Sequence, residues 1–440
     1  MPQTVLNFSV EGTNESLTSN AGTILFGEYL KAIGLHRLCN TSLPLPQSNR
    51  GYMPFEHIQS LLLMLHSGGR VLEDIRNIRQ DKAIKETLHI KRIPASESIG
   101  KWITRHGLQG VYGIETINHK LLERYLKPIQ EPLVLDIDAS VIFSQKHTAV
   151  TTYKMQSGYT PMVGHINGGY VVHSEFRSGN IAPADNNLSF LKRCQAQLPK
   201  DKSISFFRAD SASYQAKLFD YCQEEGITYT VGANLDTSVY ANIKEIKSWE
   251  VMQTKEGTAH HLKEEVAEFL HSMTESAYAF RLIVVKKTVT PMLPQMWEFL
   301  SEDEKLALAK EHYHVIATNA DESMTAQEVV KFYRKRGDSS ENKIKELKNG
   351  FNLSYLPSSN FISNAFYFQI GVLAYNLFIL FKTMLQKNWQ HHTVHTIRYK
   401  LYRLAGKVVR HSRSIILKVQ EEFVEMFQSI RKRIYEVSLE

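Results

Sequence analysis

The stretch Leu133-Val-Leu-Asp-Ile-Asp138 follows Pro132 and has the two-residue alternation of a β-strand. Side chains of a strand alternate between its two faces, so Asp136 and Asp138 share one face, about 6.6 Å apart along the strand. Carboxylates on an apolar strand need a compensating partner, because an unpaired buried charge is costly. A divalent cation is one explanation and a strand end that faces water is another, and this stretch alone does not decide between them.

The segments after this strand predict a sheet with flanking helices. Residues 159–165 and 170–176 flank Asn167-Gly-Gly169, a sequence typical of a hairpin turn. A helix, a strand, a helix and a strand are predicted next, over residues 188–198, 203–210, 214–225 and 227–231. This order predicts an α/β fold with a mixed sheet and differs from a repeated Rossmann pattern.

Changes along the sequence divide the chain into five predicted parts. These are a helical N-terminal domain, the first part of an α/β core, a strand-rich insertion, the second part of the core and a basic helical tail, over residues 1–128, 129–233, 234–311, 312–380 and 381–440. Residues 93–103 carry a helix start signal, which indicates either a DNA-reading helix-turn-helix or plain helical packing. Residues 381–420 hold nine Lys or Arg and no Asp or Glu, so the tail either clamps DNA or forms a solvated helix face.

The composition argues against several classes of protein. The 440 residues are 43% hydrophobic, which supports a sizeable core and argues against disorder. Fifty-two Lys and Arg against 45 Asp and Glu give a net charge of +7, which permits an anionic partner without establishing one. Cys39, Cys194 and Cys222 form no CxxC pair, which argues against a zinc ribbon and fits a reducing compartment.

Signals for secretion or membrane insertion are weak. The first residues lack a basic segment followed by an apolar run, so we expect no secretion signal. Residues 361–381 carry no charge, but polar residues interrupt them and they form a lone segment. We therefore expect a buried core helix there and not a membrane span.

A second candidate carboxylate, Asp210, ends the predicted strand 203–210. Carboxylates at the carboxyl ends of neighbouring strands converge in open α/β sheets, which predicts a shared site for Asp138 and Asp210. The alternative is that Asp210 caps the helix that follows, because capping is a common role for Asp.

A third candidate lies in Tyr333-Arg-Lys-Arg-Gly-Asp-Ser-Ser-Glu-Asn-Lys-Ile-Lys-Glu-Leu-Lys348. If a helix restarts within it, Glu341, Lys345 and Lys348 share one face, which suits a metal ion and a phosphate backbone. The alternative is a capping box in which Asp338 caps the helix and Glu341 reaches back to it. Three carboxylates from separate elements suit two-metal phosphoryl transfer, whereas the chain has no GxGxxG, Walker A, HExxH or GxSxG motif.

These motifs together resemble a known family. Leu135-Asp-Ile-Asp-Ala-Ser140, Phe207-Arg-Ala-Asp-Ser211 and the block 333–348 look like the signatures of DDE transposases of the IS4 superfamily, with a closer likeness to the IS1380 family of bacterial insertion sequences. Further likenesses run over most of the chain, at Leu17-Thr-Ser-Asn-Ala-Gly22, Phe176-Arg-Ser-Gly-Asn180 and Leu373-Ala-Tyr-Asn-Leu-Phe378.

The resemblance implies an RNase H-like catalytic core in which Asp138, Asp210 and Glu341 are the catalytic and metal-binding residues. The family places Ser or Thr two residues after its first Asp, and Ser140 lies at that distance from Asp138. The likeness therefore favours Asp138 over Asp136, which stays a possible site residue.

The family's third motif has the spacing Y-x2-R-x3-E-x6-K. Tyr333 and Arg336 match its first gap, and Glu341 and Lys348 match its last gap. One extra residue lies between Arg336 and Glu341. The resemblance implies that Tyr333, Arg336, Lys345 and Lys348 contact DNA.

The resemblance also implies the reaction and the partners. The cofactor would be Mg²⁺, for which Mn²⁺ can substitute, and the partners would be double-stranded DNA, as element ends and target, and a second copy in a homodimer on paired ends. The protein would lie in the bacterial cytoplasm with the nucleoid, and not in a membrane. Trp249, in the insertion, would either stack on a flipped base or pack as an ordinary buried Trp.

Two other functions share these residues. One is a transposase-derived protein that binds DNA without cutting it, which the extra residue before Glu341 keeps open. The other is an RNase H-like nuclease without strand transfer, which would use the same carboxylates and differ only in its products.

Overall fold

The computed structural model describes residue 6 and residues 8–252, 261–289, 300–301, 304, 308, 310–337, 341–412 and 414–438. The chain folds into two compact units. Unit 1 comprises Met1–Ile117 with Glu346–Glu440, and unit 2 comprises Asn118–Lys345. Unit 1 thus combines most of the predicted N-terminal part with the predicted basic tail.

Unit 1 begins with a short strand and a series of helices. Their bounds are β1 Ser16–Thr18, α1 Ala21–Ala32, α2 Leu35–Ser42, α3 Pro54–His66, α4 Ile75–Gln80, α5 Lys82–Thr87 and α6 Ser96–Leu126, of which residues 118–126 belong to unit 2. Pro54 opens α3, because its fixed φ suits the first helical turn. The Met53 amide donates to the Glu56 carboxylate at 2.7 Å and completes this start.

Unit 2 carries most of the strands. They are β2 Leu133–Ala139, β3 Ile142–Phe143, β4 Val150–Thr151, β5 Ser157–Tyr159, β6 Met162–His165, β7 Val171–Glu175, β8 Ile204–Ala209, β9 Thr228–Gly232, β10 Glu250–Val251, β11 His261–Ser272, β12 Ala279–Val289 and β13 Lys310–Thr318. Its further helices are α7 Asn187–Ala196, α8 Ala216–Glu224, α9 Thr237–Lys244, α10 Ala326–Arg336 and α11 Asn342–Lys345. The predicted strands and helices from β2 to β9 follow one another as expected, but the predicted strand 159–165 is divided between β5 and β6, and β3, β4 and β5 form a separate sheet.

Nine strands of unit 2 form one mixed sheet in the order β10-β11-β12-β13-β9-β8-β2-β6-β7. β8 runs parallel to both β2 and β9, whereas β6 is antiparallel to β2 and β7. The mixed α/β fold is therefore confirmed. The strands of the predicted insertion extend the same sheet, because β13 pairs with β9 and β12 pairs with β13.

The rest of unit 1 comes from the end of the chain, as α12 Phe361–Lys382, α13 Val394–Ile397, β14 Gly406–His411, β15 Ser414–Lys418 and α14 Glu421–Ser438. Among the described helices, one is long and apolar enough to cross a membrane. It is α12, and the 18-residue stretch of α12 that meets this criterion is 100% buried. This burial fits the predicted core helix. Beside α12, His66 stacks on Phe26 at 3.6 Å and hydrogen-bonds the Tyr402 hydroxyl at 3.1 Å.

The expectation of a wholly helical tail is wrong for residues 406–411 and 414–418. They form the hairpin β14–β15, and β14 also pairs with β1. The β-branched residues of this stretch favour strands, which the charge pattern did not reveal. The tail is also less free than its charge suggests: Lys407 pairs with Glu15, Arg410 lies 3.4 Å from Glu86, and Arg398 is buried.

Candidate active site

The carboxyl ends of two neighbouring strands bring the first two candidate carboxylates together. β2 and β8 pair in parallel, Asp138 lies near the end of β2, and Asp210 follows β8 directly. The Asp210 carboxylate also accepts a hydrogen bond from the Ala212 amide at 3.1 Å, so it caps the turn Ser211–Ser213. Asp210 therefore caps this short turn and not α8, whose N-cap is Gln215, and its carboxylate keeps further lone pairs for other partners.

The ionisation of Asp138 depends on burial and on the charges around it. Burial raises the pKa of Asp138 to about 6, the nearby Arg336 charge opposes that rise, and the charges of Asp210 and Glu341 add to it. The charges of Asp210 and Glu341 thus act on Asp138, as expected for carboxylates at the same edge of the sheet.

Arg336, the last residue of α10, joins two of these carboxylates. Its guanidinium lies 3.3 Å from the Asp138 Oδ2 and 3.5 Å from the Glu341 Oε1. The Arg336 side chain is 8% exposed, whereas the Glu341 side chain is 65% exposed. Residues 338–340, which include the predicted cap Asp338, lie outside the described residues.

Tyr333 lies one helical turn before Arg336 and faces the same cluster. Burial and the charges of Asp210, Glu341 and Asp138 raise its pKa, while Arg336 opposes the rise. A Cβ at Gly232 would lie 3.0 Å from the Tyr333 hydroxyl and 3.1 Å from the Ser211 amide nitrogen. Glycine at the end of β9 thus leaves room for this hydroxyl beside the loop that begins at Asp210.

Asp136 has a different environment from Asp138. Its two oxygens accept hydrogen bonds from Arg208 Nε at 2.8 Å and Nη2 at 2.7 Å, and both residues are buried. Arg208 also donates to the Phe332 carbonyl at 2.8 Å. Sequence reasoning missed Arg208, although a lone Arg in the apolar run Phe206-Phe-Arg-Ala209, next to a strand with a buried Asp, was the available signal.

The predicted lysines lie at the end of the same block. Lys345 is exposed at the end of α11. Lys348 belongs to unit 1 and lies in the π-helical turn Glu346–Gly350. The expected sharing of one face assumed a regular α-helix, and a π-helix bonds residues five apart, so that spacing does not extend to Lys348.

The strands of the insertion form the surface on which α10 packs. Val329 and Val330 of α10 lie in a buried apolar cluster, against which Tyr333 also packs. The other members of this cluster are Met252, Val266, Ile283, Val285 and Ile316. Arg334 of α10 pairs with Glu264 of β11, with Nη1 2.9 Å from Oε2. The insertion therefore fixes the helix that carries Tyr333 and Arg336, a role that the sequence did not indicate.

Trp249 lies at the edge of this inserted part and is half-buried. The Lys286 ammonium lies 4.4 Å from the centre of its ring, and the Tyr313 ring lies 6.3 Å away. One ring face thus already has a cationic partner. Base stacking by Trp249 stays a prediction.

The donor chemistry of the cluster fits a divalent metal ion of the magnesium class. Three carboxylates supply the oxygen ligands that Mg²⁺ prefers. Two of them, Asp138 and Glu341, already contact a cation, the guanidinium of Arg336. The carboxylates do not have the spacing of a formed metal site, because within the described part of the chain no group of three or more His, Cys, Asp or Glu side chains is close enough to hold a metal ion.

The mixed α/β sheet with its flanking helices is consistent with the fold of an enzyme that acts on DNA. The chain belongs to the transposase DDE domain group 1 family, whose sequence model matches residues 3–438. Membership implies a DNA substrate, and DDE transposases generally use divalent metal ions. No curated protein matches the chain.

Proposed function

We propose that this protein is a DNA transposase of the IS4 superfamily, closest to the IS1380 family, that cuts insertion-sequence ends and joins them to target DNA in a Mg²⁺-dependent reaction. The convergence of Asp138, Asp210 and Glu341 around Arg336 carries this proposal. The strand order β7-β6-β2-β8-β9, in which β6 runs antiparallel to the other four strands, supports an RNase H-like core.

Asp138, Asp210 and Glu341 would hold the metal ions, for which Mn²⁺ can substitute. Bound metal ions activate the attacking oxygen and stabilise the leaving oxygen of a phosphodiester. Asp138 must lose its proton before it binds a cation, and with a pKa of about 6 it is mostly ionised at neutral pH. Before a metal ion binds, the Arg336 guanidinium contacts both Asp138 and Glu341 and so keeps the two carboxylates near each other.

The remaining predicted residues would position DNA. Lys345 is exposed and would contact phosphates, which fixes the position of DNA without reading its sequence. Tyr333 and Arg336 would act close to the cut, and Lys348, which belongs to the same motif but lies in unit 1, would contact DNA. Sequence recognition falls to the helical N-terminal part, and a homodimer would hold paired ends.

Cleavage of a labelled duplex tests the proposal. The duplex carries the DNA that flanks the coding sequence, and the variants are Asp210→Asn and Glu341→Gln, with the exposed Glu322→Gln as matched control. We expect the wild type and the control to cut and transfer strands in Mg²⁺. Both site variants should bind the duplex but cut at least about a hundredfold more slowly, because losing even an outer partner of a metal ligand costs about 10- to 100-fold.

A DNA-binding protein that does not cut is the second candidate. The guanidinium that separates Asp138 from Glu341 is the observation that favours it. A wild type that binds the duplex but never cuts it, with Mg²⁺ or Mn²⁺, would establish this candidate. Cutting without any joined product would instead indicate a nuclease.

A further inference from the structure

A small sheet follows Asp138 directly and has no role in the cluster described above. Between β2 and β6 the chain forms β3, β5 and β4, which pair as one three-stranded sheet. We call residues 140–161 the flap. Its tip is the turn between β4 and β5, residues 152–156.

Hydrogen bonds hold the tip in one conformation. The Thr152 hydroxyl donates to the Gln156 carbonyl at 2.9 Å and accepts from the Lys154 amide at 3.3 Å. The Met155 amide donates to the Thr152 carbonyl at 2.9 Å. Met155 has a φ of 58°, a left-handed conformation that is costly for a residue with a side chain. The hydrogen bonds of the turn and the strands on either side therefore hold Met155 in an unfavourable backbone conformation.

The base of the flap is packed tightly. A Cβ at Gly158 would lie only 2.4 Å from the Ile142 carbonyl oxygen, so the strands approach as closely as glycine allows. The Thr148 hydroxyl lies 2.7 Å from the Tyr159 hydroxyl and ties the intervening loop to β5. The tightly packed base thus supports the tip of the flap.

The side chains of residues 153–156 in the tip are exposed to solvent, whereas Thr152 is buried. Tyr153 is 51% exposed and Met155 is 83% exposed, and Phe143 and Val150 add exposed apolar surface. The sequence from residue 139 to residue 174 contains no Asp or Glu, while Lys146 and Lys154 supply positive charge. Exposed aromatic and apolar groups among cations suit unpaired nucleic acid, whose bases stack and whose phosphates are anionic.

The flap begins and ends beside Asp138, because the Ser140 amide donates to the Pro161 carbonyl at 2.9 Å and Asp138 pairs with Val163 in the main sheet. At the tip, burial and the negative charges of Asp138 and Asp210 also raise the pKa of the Tyr153 phenol. A phosphodiester that reaches these carboxylates would therefore place its flanking nucleotide near the flap tip.

We propose that the flap tip binds an unpaired base next to the scissile phosphate, with Tyr153 stacked on the base and Lys154 contacting a neighbouring phosphate. The position of the base rests on the proposed function, because it assumes that DNA is cut at the carboxylates. DNA fits better than a second protein copy, because the surface is cationic and free of acidic residues over residues 139–174.

Fluorescence of a forked duplex tests the proposal. The probe carries the DNA that flanks the coding sequence, with 2-aminopurine at the first unpaired position. All proteins carry Asp210→Asn, so that binding is measured without cleavage. We expect the probe's fluorescence to be quenched on binding, and Tyr153→Phe to keep the quenching because its ring still stacks.

Tyr153→Leu should abolish the quenching and weaken binding of the forked duplex by about 5- to 100-fold, the usual contribution of one stacked base. Its affinity for a fully paired blunt duplex should stay unchanged. Tyr278→Leu, at another exposed tyrosine of unit 2, is the matched control and should behave as the parent protein.

Equal quenching and equal affinity for the fork in Tyr153→Leu would overturn the proposal. A change in oligomeric state by light scattering, with unchanged DNA binding, would also overturn it and assign the flap to a protein interface. If the wild type fails to cut while the quenching still depends on Tyr153, base binding stands and the catalytic assignment fails instead.

Discussion

Two aspartate–arginine pairs lie two residues apart on β2, and they differ in almost every physical respect. Asp136 and Arg208 form a buried pair with two hydrogen bonds of 2.7 and 2.8 Å. Asp138 and Arg336 meet through one contact of 3.3 Å, and the same guanidinium also reaches toward Glu341. The first pair uses both oxygens of its carboxylate, whereas the second leaves lone pairs of Asp138 for another cation.

The difference follows from where each arginine comes from. Arg208 is the direct neighbour of Asp136 on the adjacent parallel strand, so sheet hydrogen bonds fix both partners. Arg336 ends a helix, and residues 338–340 that follow lie outside the described part of the chain. The comparison teaches that position along one strand separates a carboxylate that stabilises the fold from one suited to chemistry.

Breaking the inner pair should have the largest effect. Asp136→Asn or Arg208→Met would leave one buried charge without its partner, which typically costs about 3–5 kcal/mol of unfolding free energy. The double variant Asp136→Leu with Arg208→Met should recover much of that loss, because no charge is then left buried. Urea denaturation measures all three, and single variants that lose under about 1 kcal/mol would contradict the structural role of the pair.

Neutralising the outer carboxylate should act in the opposite direction. The pKa of Asp138 is raised from 3.8 to about 6, so its contribution to stability is present below pH 3.8 and is lost as the pH rises to 6. In metal-free buffer, Asp138→Asn should therefore stabilise the protein by about 1–3 kcal/mol at pH 7.5.

Little change is expected from Asp138→Asn at pH 3.5, where the wild-type carboxyl is mostly protonated. Denaturation at both pH values measures the difference, and Asp136→Asn, which should destabilise at pH 7.5, is the paired control. An equal gain at both pH values would show that ionisation of Asp138 is not its source.

Removing the outer arginine should have the smallest effect. Arg336 lowers the pKa of Asp138 against the effect of burial, so Arg336→Gln should raise the pH midpoint of Mn²⁺ binding by about one unit when Mn²⁺ is kept well below its dissociation constant. Titration of bound Mn²⁺ by electron paramagnetic resonance between pH 5 and pH 8 gives this midpoint. Arg334→Gln, on the same helix but paired with Glu264, should leave it in place.

Much of the core was predictable from the sequence. The alternation in 133–138, the hairpin turn at Asn167-Gly-Gly169 and the helix that stops before Gly226 are local signals, and the strands and helices lie where these signals indicate. The convergence of Asp138 and Asp210 followed from the parallel strand ends, which is a general property of such sheets.

The rest depended on partners distant in sequence. Nothing local shows that Arg208 meets Asp136, that Glu15 and Glu86 approach the basic tail, or that inserted strands support α10. The hairpin of the tail was missed for a different reason, since its charge drew attention away from its β-branched residues. Local patterns thus identified the helices and strands, whereas contacts between residues distant in sequence decided which charged side chains remain available to bind a ligand.

The pairing of β1 with β14 has a consequence for the timing of folding. Residues near the start of the chain share a sheet with residues near its end, and unit 2 is encoded between them. At a synthesis rate of about 5–20 residues per second, Ser16–Thr18 would wait on the order of 20–80 s for Gly406–His411. The nine-stranded sheet has its last strand at Thr318, 88 residues before Gly406, so for the last roughly 4–18 s of that interval a ribosome-bound chain would carry the complete sheet of unit 2 while unit 1 is still incomplete.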